Sequence, residues 1–192
     1  MEKLFARAAA MATSERHKTS ARLLSPQGFL QLAADEVLRA NRYHRPLSVA
    51  LIQIDRLQES REEHGHNVAE AIFADSTARV IHGLRAPDRV SRLGPAELGV
   101  LMPETTLKQG QAAVERLVES VDETPVETSA GPMTIIMRAG MAGLSARNRD
   151  PKAFLMTAWL ELRRAQSSGK PNISVAPPDL ATVTISRSGQ VH

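Results

Sequence analysis

The stretch DRVSRLGPAELGVLM, residues 88–102, decides the fold. It reads as two strands, Asp88 to Leu93 and Glu97 to Met102, joined by a tight turn at Gly94-Pro95. Upstream, LSVALIQI (residues 47–54) is apolar and rich in branched side chains, the pattern of a buried strand. Between the two, hydrophobic spacing predicts a helix from about Asn67 to Leu84, preceded by a polar stretch. Downstream, Thr105 or Thr106 caps a helix reaching Val121. Glu123 to Gly131 is expected to be a loop, and Met133 to Leu144 to contain a further strand.

The resulting order is strand, helix, strand, strand, helix, strand, the ferredoxin-like split βαβ pattern. Two more helices flank it. Ser25-Pro26 opens one that carries Phe29, Leu30, Ala33, Val37 and Leu38 at helical spacing and fades near Arg45-Pro46. Asp150-Pro151 starts the other, which runs through Gln166, and Asn172 to Val175 makes a last short strand. The expected fold class is α/β (α+β): a mixed five-stranded sheet flanked by helices. Helices on one face of the sheet would leave the other face for a ligand or partner. Trp159 is expected in the core, and Met133, Met137 and Met141 in sheet packing.

The 192 residues are 42% hydrophobic, enough for one domain with a sizeable core. The expected division is a leader helix over residues 1–20, the domain over 21–176 and a flexible tail over 177–192. Leu4, Phe5, Ala8 and Met11 form a narrow apolar stripe in the leader. Such a stripe suits a signalling-protein partner, a homodimer contact or packing on its own domain. There is no cysteine, which excludes disulfides and thiolate metal sites. No apolar run approaches the roughly 20 residues that span a bilayer, so no membrane contact and a cytoplasmic location are expected. Net charge is +3 and aromatics are 3%, which argues against a stacking surface for nucleic acid.

Four segments in order resemble the GGDEF family of diguanylate cyclases. They are the strand ending Ile52-Gln53-Ile54-Asp55, the triplet His64-Gly65-His66, the run Arg92-Leu93-Gly94-Pro95-Ala96-Glu97-Leu98, and the late helix ending Ala165-Gln166-Ser167-Ser168-Gly169-Lys170. The third stands where the family has Arg-Leu-Gly-Gly-Asp/Glu-Glu-Phe. The resemblance implies a nucleotidyl-cyclase palm. It also implies condensation of two GTP molecules into cyclic di-GMP, with magnesium neutralising the developing charge.

Several parts of that machinery are replaced. Asp55 occupies the position of a metal-binding aspartate. The second metal carboxylate falls on Ala96, whose methyl group cannot coordinate magnesium. Glu97 stands one position later, where strand alternation points it to the other face. The second glycine of the turn is Pro95, which has no N–H to offer a phosphate. The guanine-reading asparagine falls on Arg61, which only donates. The acidic guanine reader is Glu70, preceded by Ala69, and a phosphate-facing lysine is Gln58. Ser25-Pro26 stands where the family has Asn-Arg. No catalytic activity and no cofactor are expected, beyond weak magnesium at Asp55 and residual GTP contact at Arg61 and Glu70. Glu62-Glu63-His64-Gly65-His66 has metal-ligand residue types, but its histidines are only two apart.

One family feature survives. Many members carry an inhibitory cyclic di-GMP site marked by Arg-x-x-Asp before the signature turn. Arg85-Ala86-Pro87-Asp88 stands there, with Arg85 nine positions before Gly94. Arginine can bond bidentately to guanine or phosphate, and aspartate can accept from guanine N1–H. Arg116, in the helix after the turn, is the candidate third member. The expectation is therefore an inactive domain that binds cyclic di-GMP through Arg85, Asp88 and Arg116. The alternative is a nucleotide-independent scaffold in the same signalling system.

Overall fold

The continuous apolar run at residues 47–54 becomes the centre of the sheet. This computed structural model describes residues 23–122, 124–168 and 172–177, so the leader and nearly all of the tail lie outside the described residues. Strand β2 (Leu47–Ile54) pairs antiparallel with β4 (Glu97–Pro103) on one side and β7 (Met137–Gly143) on the other. β3 (Arg89–Arg92) pairs antiparallel with the outer edge of β4. These four strands form the expected split βαβ order. Two short edge strands run parallel to their neighbours, β1 (Leu23–Leu24) on β3 and β8 (Ile173–Val175) on β7. The sheet therefore has six strands in the order β1-β3-β4-β2-β7-β8, against the expected five. The added strand is β1, whose two residues are too short to show a period.

Both faces of the sheet are covered, which corrects the expectation of helices on one face. Alternation along β2 sends Ala50, Ile52 and Ile54 to one side, where they join Ile72 and Phe73 of helix α3 (His66–Gly83) and Val114 and Leu117 of α4 (Leu107–Asp122). Val49 and Leu51 face the other side. There they meet Phe29, Ala33 and Val37 of α1 (Pro26–Tyr43) and Phe154 and Ala158 of α5 (Pro151–Ser168). Ser25 caps α1 by accepting the Gly28 N–H at 3.1 Å. α5 crosses β7 in backbone contact at Gly140. A Cβ there would lie 1.9 Å from the Leu162 nitrogen, so only glycine fits.

Three further expectations change. The polar stretch after β2 contains helix α2 (Leu57–His64), which buries only Leu57 and so carries no apolar periodicity. The expected loop at Glu123 to Gly131 contains most of a hairpin, β5 (Val126–Thr128) with β6 (Gly131–Met133), closed by Gly131 at φ 103°. Met133 thus belongs to that hairpin, whereas Met137 and Met141 are fully buried in the main sheet. Trp159 is 47% exposed, because the part of α5 that bears it borders a cleft left open toward α1. Among the described residues no helix is long and apolar enough to cross a membrane.

Candidate functional site

Strand β3 has a candidate site at each end. The signature turn, Leu93 to Ala96, follows it, and the Arg85–Asp88 turn precedes it.

The signature turn is closed by its own side chains. Leu93 N–H donates to the Glu97 carbonyl at 2.9 Å. Arg92 then spans the turn, donating from Nε to the Gly94 carbonyl at 3.2 Å and from a terminal nitrogen to the Pro95 carbonyl at 3.1 Å. The same guanidinium donates to both oxygens of Glu70, each at 2.9 Å, and lies 3.8 Å from the centroid of the Phe73 ring. Arg61, from the preceding helix, approaches Glu70 at 3.5 Å. The hydrogen bond from Arg92 lowers the Glu70 carboxyl below its ordinary value, against the cost of burial, with the Arg92, His66 and Arg61 charges assisting. The two residues expected to read guanine are thus brought together, but against each other.

The position expected to hold metal is closed in the same way. Ile54 N–H donates to the Ala96 carbonyl at 2.9 Å, which sets Ala96 beside the end of β2. Its methyl packs against the core cluster under α3 and α4. Asp55 pairs with Arg138 of β7, and these side chains are only 18% and 16% exposed. Arg138 also donates to the Ala165 carbonyl of α5 at 2.9 Å. Glu97 turns back on its own loop and accepts the Ala96 N–H at 3.2 Å. A dication needs several oxygen ligands, and a fixed guanidinium on Asp55 opposes it electrostatically. Among the described residues no three histidine or carboxylate side chains are grouped so that they could hold a metal ion, whether here or around His64 and His66. The residues present do not fit a magnesium ion.

The other turn is built differently. Asp88 N–H donates to the Arg85 carbonyl at 3.1 Å, and Arg85 N–H donates back to Asp88 Oδ2 at 2.9 Å. Asp88 is 6% exposed, and its Oδ1 is buried with no hydrogen-bond partner. An unsatisfied carboxylate oxygen is unusual, because leaving it so is costly. The Arg85 guanidinium reaches Thr105 Oγ1 at 3.1 Å. It borders a cleft of about 450 Å³ that also carries Arg39, Arg45 and Arg89, with Glu36 and Glu104 as its acids. Glu36 pairs with Arg39 and Glu104 with Arg45, so the cleft is cationic overall. Arg116 is not part of it. That side chain lines a separate cleft of about 640 Å³ between α3 and α4, with Arg79, His82 and Ser120.

Arg138 and Arg92 complete the first site, and neither is singled out as a site residue by sequence. The available signal for Arg138 is a lone charge inside the apolar run MRAGMAG (residues 137–143).

The chain matches the family model described as diguanylate cyclase, GGDEF domain, over residues 19–172. Diguanylate cyclase DgcP of Pseudomonas aeruginosa is 28% identical over 141 residues, which are 73% of this chain and 21% of that protein. The response regulator PleD of Caulobacter vibrioides is 26% identical over 136 residues, 70% of this chain and 30% of that protein. The chain thus spans under a third of these curated relatives. The GGDEF domain of YfiN (TpbB) from Pseudomonas aeruginosa shares the fold with a TM-score of 0.75 at 23% identity, covering 81% of this chain and 91% of that one. The GGDEF domain of DgcB from Caulobacter crescentus, in complex with c-di-GMP, also gives 0.75, at 14% identity over 80% and 88% of the two chains. With the family match extending from before β1 to the residue preceding the last strand, the chain belongs to the GGDEF domain family of diguanylate cyclases.

Proposed function

We propose that this GGDEF domain has lost cyclase chemistry and binds cyclic di-GMP at the Arg85–Asp88 turn. The observation that carries the proposal is the Arg85–Asp88 turn, in which Asp88 accepts the Arg85 N–H while Arg85 lines a cleft with three further arginines. Guanine offers N1–H and an amino group, which an aspartate oxygen accepts. Its O6 and N7 accept from a guanidinium, and the two phosphates suit the remaining arginines. Ligand binding would draw Arg85 from Thr105 and open the Asp88 carboxylate to the base.

Loss of catalysis follows from chemistry. Ala96 supplies no metal ligand and Pro95 no N–H. Asp55 and Glu70 are held by Arg138 and Arg92. Phosphoryl transfer depends on positioning and charge neutralisation, and this pocket lacks the groups for both.

Arg85→Ala tests the binding half. Titration calorimetry of the folded variant should show cyclic di-GMP affinity reduced by about ten- to a hundred-fold, the worth of one bidentate contact. Unchanged affinity would rule out this site. If the unsubstituted chain shows no binding at all, a nucleotide-independent scaffold becomes the better account.

A further inference from the structure

The outward face of α5 is apolar at its centre and basic at both ends. Lys152, Met156, Trp159, Leu160 and Arg163 recur at spacings of three and four residues, so they share one side of the helix, and all five are exposed. Met156, Trp159 and Leu160, with Leu30 of the neighbouring α1, are 45–54% exposed. Between the two helices lies an open cleft of about 430 Å³, lined by apolar side chains such as Phe29, Leu93 and Leu155, with Lys152 as its one charged residue. A contiguous apolar patch around a cleft marks a binding surface.

Charge decides what this surface takes. From Arg147 to Arg164 the chain carries the cations Arg147, Arg149, Lys152, Arg163 and Arg164 against the carboxylates Asp150 and Glu161. Both carboxylates are engaged. Asp150 caps α5 by accepting the Ala153 N–H at 2.8 Å, and Glu161 is buried, accepting from Arg164 and Ser174, each at 2.6 Å. Among the described residues neither Lys152 nor Arg163 has a carboxylate partner. Arg163 bonds to Gln166 and lies 5.9 Å from the centroid of the Trp159 ring. The matching occupant is anionic at its rim and apolar at its centre. A second copy fits poorly, since a two-fold contact through α5 would face these cations with themselves. A cleft with an apolar lining and one cation along it suits hydrocarbon beneath a phosphate-bearing headgroup. Tryptophan sits at the headgroup level of a bilayer, and lysine and arginine keep their charge among the headgroups while their stems lie along apolar surface. Such contact runs along a surface and differs from a span, which no described helix is long and apolar enough to make.

We propose that the α1–α5 face docks on an anionic lipid surface, with Leu30, Met156, Trp159 and Leu160 entering the apolar boundary and Lys152 and Arg163 meeting lipid phosphates. This contact is independent of nucleotide binding. Trp159 is the single tryptophan of the chain, so its emission reports on this face alone. The full chain is sedimented with vesicles of phosphatidylcholine and phosphatidylglycerol in equal parts, and with vesicles of phosphatidylcholine alone. K152E/R163E and L30S/M156S are compared with it, and circular dichroism checks that each is folded. The expected result is sedimentation with the mixed vesicles only, with a shift of Trp159 emission to shorter wavelength. Each basic residue near an anionic surface is worth about fivefold in affinity, so K152E/R163E should bind at least about twenty-five-fold more weakly. L30S/M156S should lose the emission shift. No sedimentation of the unsubstituted chain would overturn the proposal and leave an acidic protein as the better occupant. Equal sedimentation of all three proteins would also overturn it, by placing the contact on another part of the chain. So would a doubled mass without vesicles that L30S/M156S abolishes, which would assign the face to a second copy.

Discussion

The two ends of strand β3 carry similar residue types in opposite states. At the signature turn the carboxylates that matter are satisfied internally. Glu70 holds Arg92 through both oxygens, and Asp55 holds Arg138. At the Arg85–Asp88 turn one carboxylate oxygen has no partner, and four arginines share a cleft with two glutamates. At one end each of these carboxylates is held by an arginine, and at the other the arginines outnumber the carboxylates that share their cleft. On the function proposed above, a ligand site is lost by gaining internal partners as well as by losing its own residues. On that reading Ala96 and Pro95 are losses. The engagement of Glu70 by Arg92, with Arg61 close by, is a site closed on itself.

The largest effect is expected at Asp55. In a metal site an aspartate is stored repulsion, and its removal leaves the apo protein as stable or more so. Here Asp55→Ala leaves Arg138 largely buried without its carboxylate, and stability should fall by about 2–4 kcal/mol in urea unfolding. An unchanged or raised midpoint would mean that Asp55 is not the anchor described. Next comes Asp88→Ala, which removes the acceptor for the Arg85 N–H and should cost about 1–2 kcal/mol in the same experiment. It should also weaken cyclic di-GMP binding, and full affinity in a folded variant would sever the turn from the ligand.

Arg92→Ala should cost about 1 kcal/mol, a modest value because the pair with Glu70 is about one-third exposed and solvent screens it. It should still yield no cyclic di-GMP from GTP, since Ala96 and Pro95 remain. The smallest effect concerns pH. The Glu70 carboxyl titrates below its ordinary 4.5 in the folded chain. Its stabilising contribution is complete above that value and is lost as pH falls through the depressed one. Below about pH 4.5 the unsubstituted chain should therefore lose stability more steeply than Glu70→Gln. Parallel curves would deny Glu70 its partner.

The central four strands were legible because β2 and β4 are nearly unbroken apolar runs and Gly94-Pro95 marks the turn between β3 and β4. β1 was not, since two residues carry no period, and α2 was not, since it buries a single leucine. Trp159 looked like core because helical spacing identifies an apolar face without saying whether a neighbour fills it. In the candidate site, Asp55, Glu70, Ala96 and the Arg85–Asp88 pair are picked out by the family resemblance, from their order along the chain. Their partners were not. Asp55 meets Arg138 across 83 positions and Glu70 meets Arg92 across 22, distances that only the folded sheet closes. Arg116 is placed with the Arg85 site by the resemblance alone, and α4 carries it to a different cleft.

Calorimetric titration of the full chain with cyclic di-GMP, alongside a parallel cell of GTP and magnesium analysed for product, tests the contrast between the two ends most directly. Saturable binding of cyclic di-GMP, with no product formed from GTP, is the predicted result. Conversion of GTP to cyclic di-GMP, or no heat from cyclic di-GMP at any concentration, would contradict it.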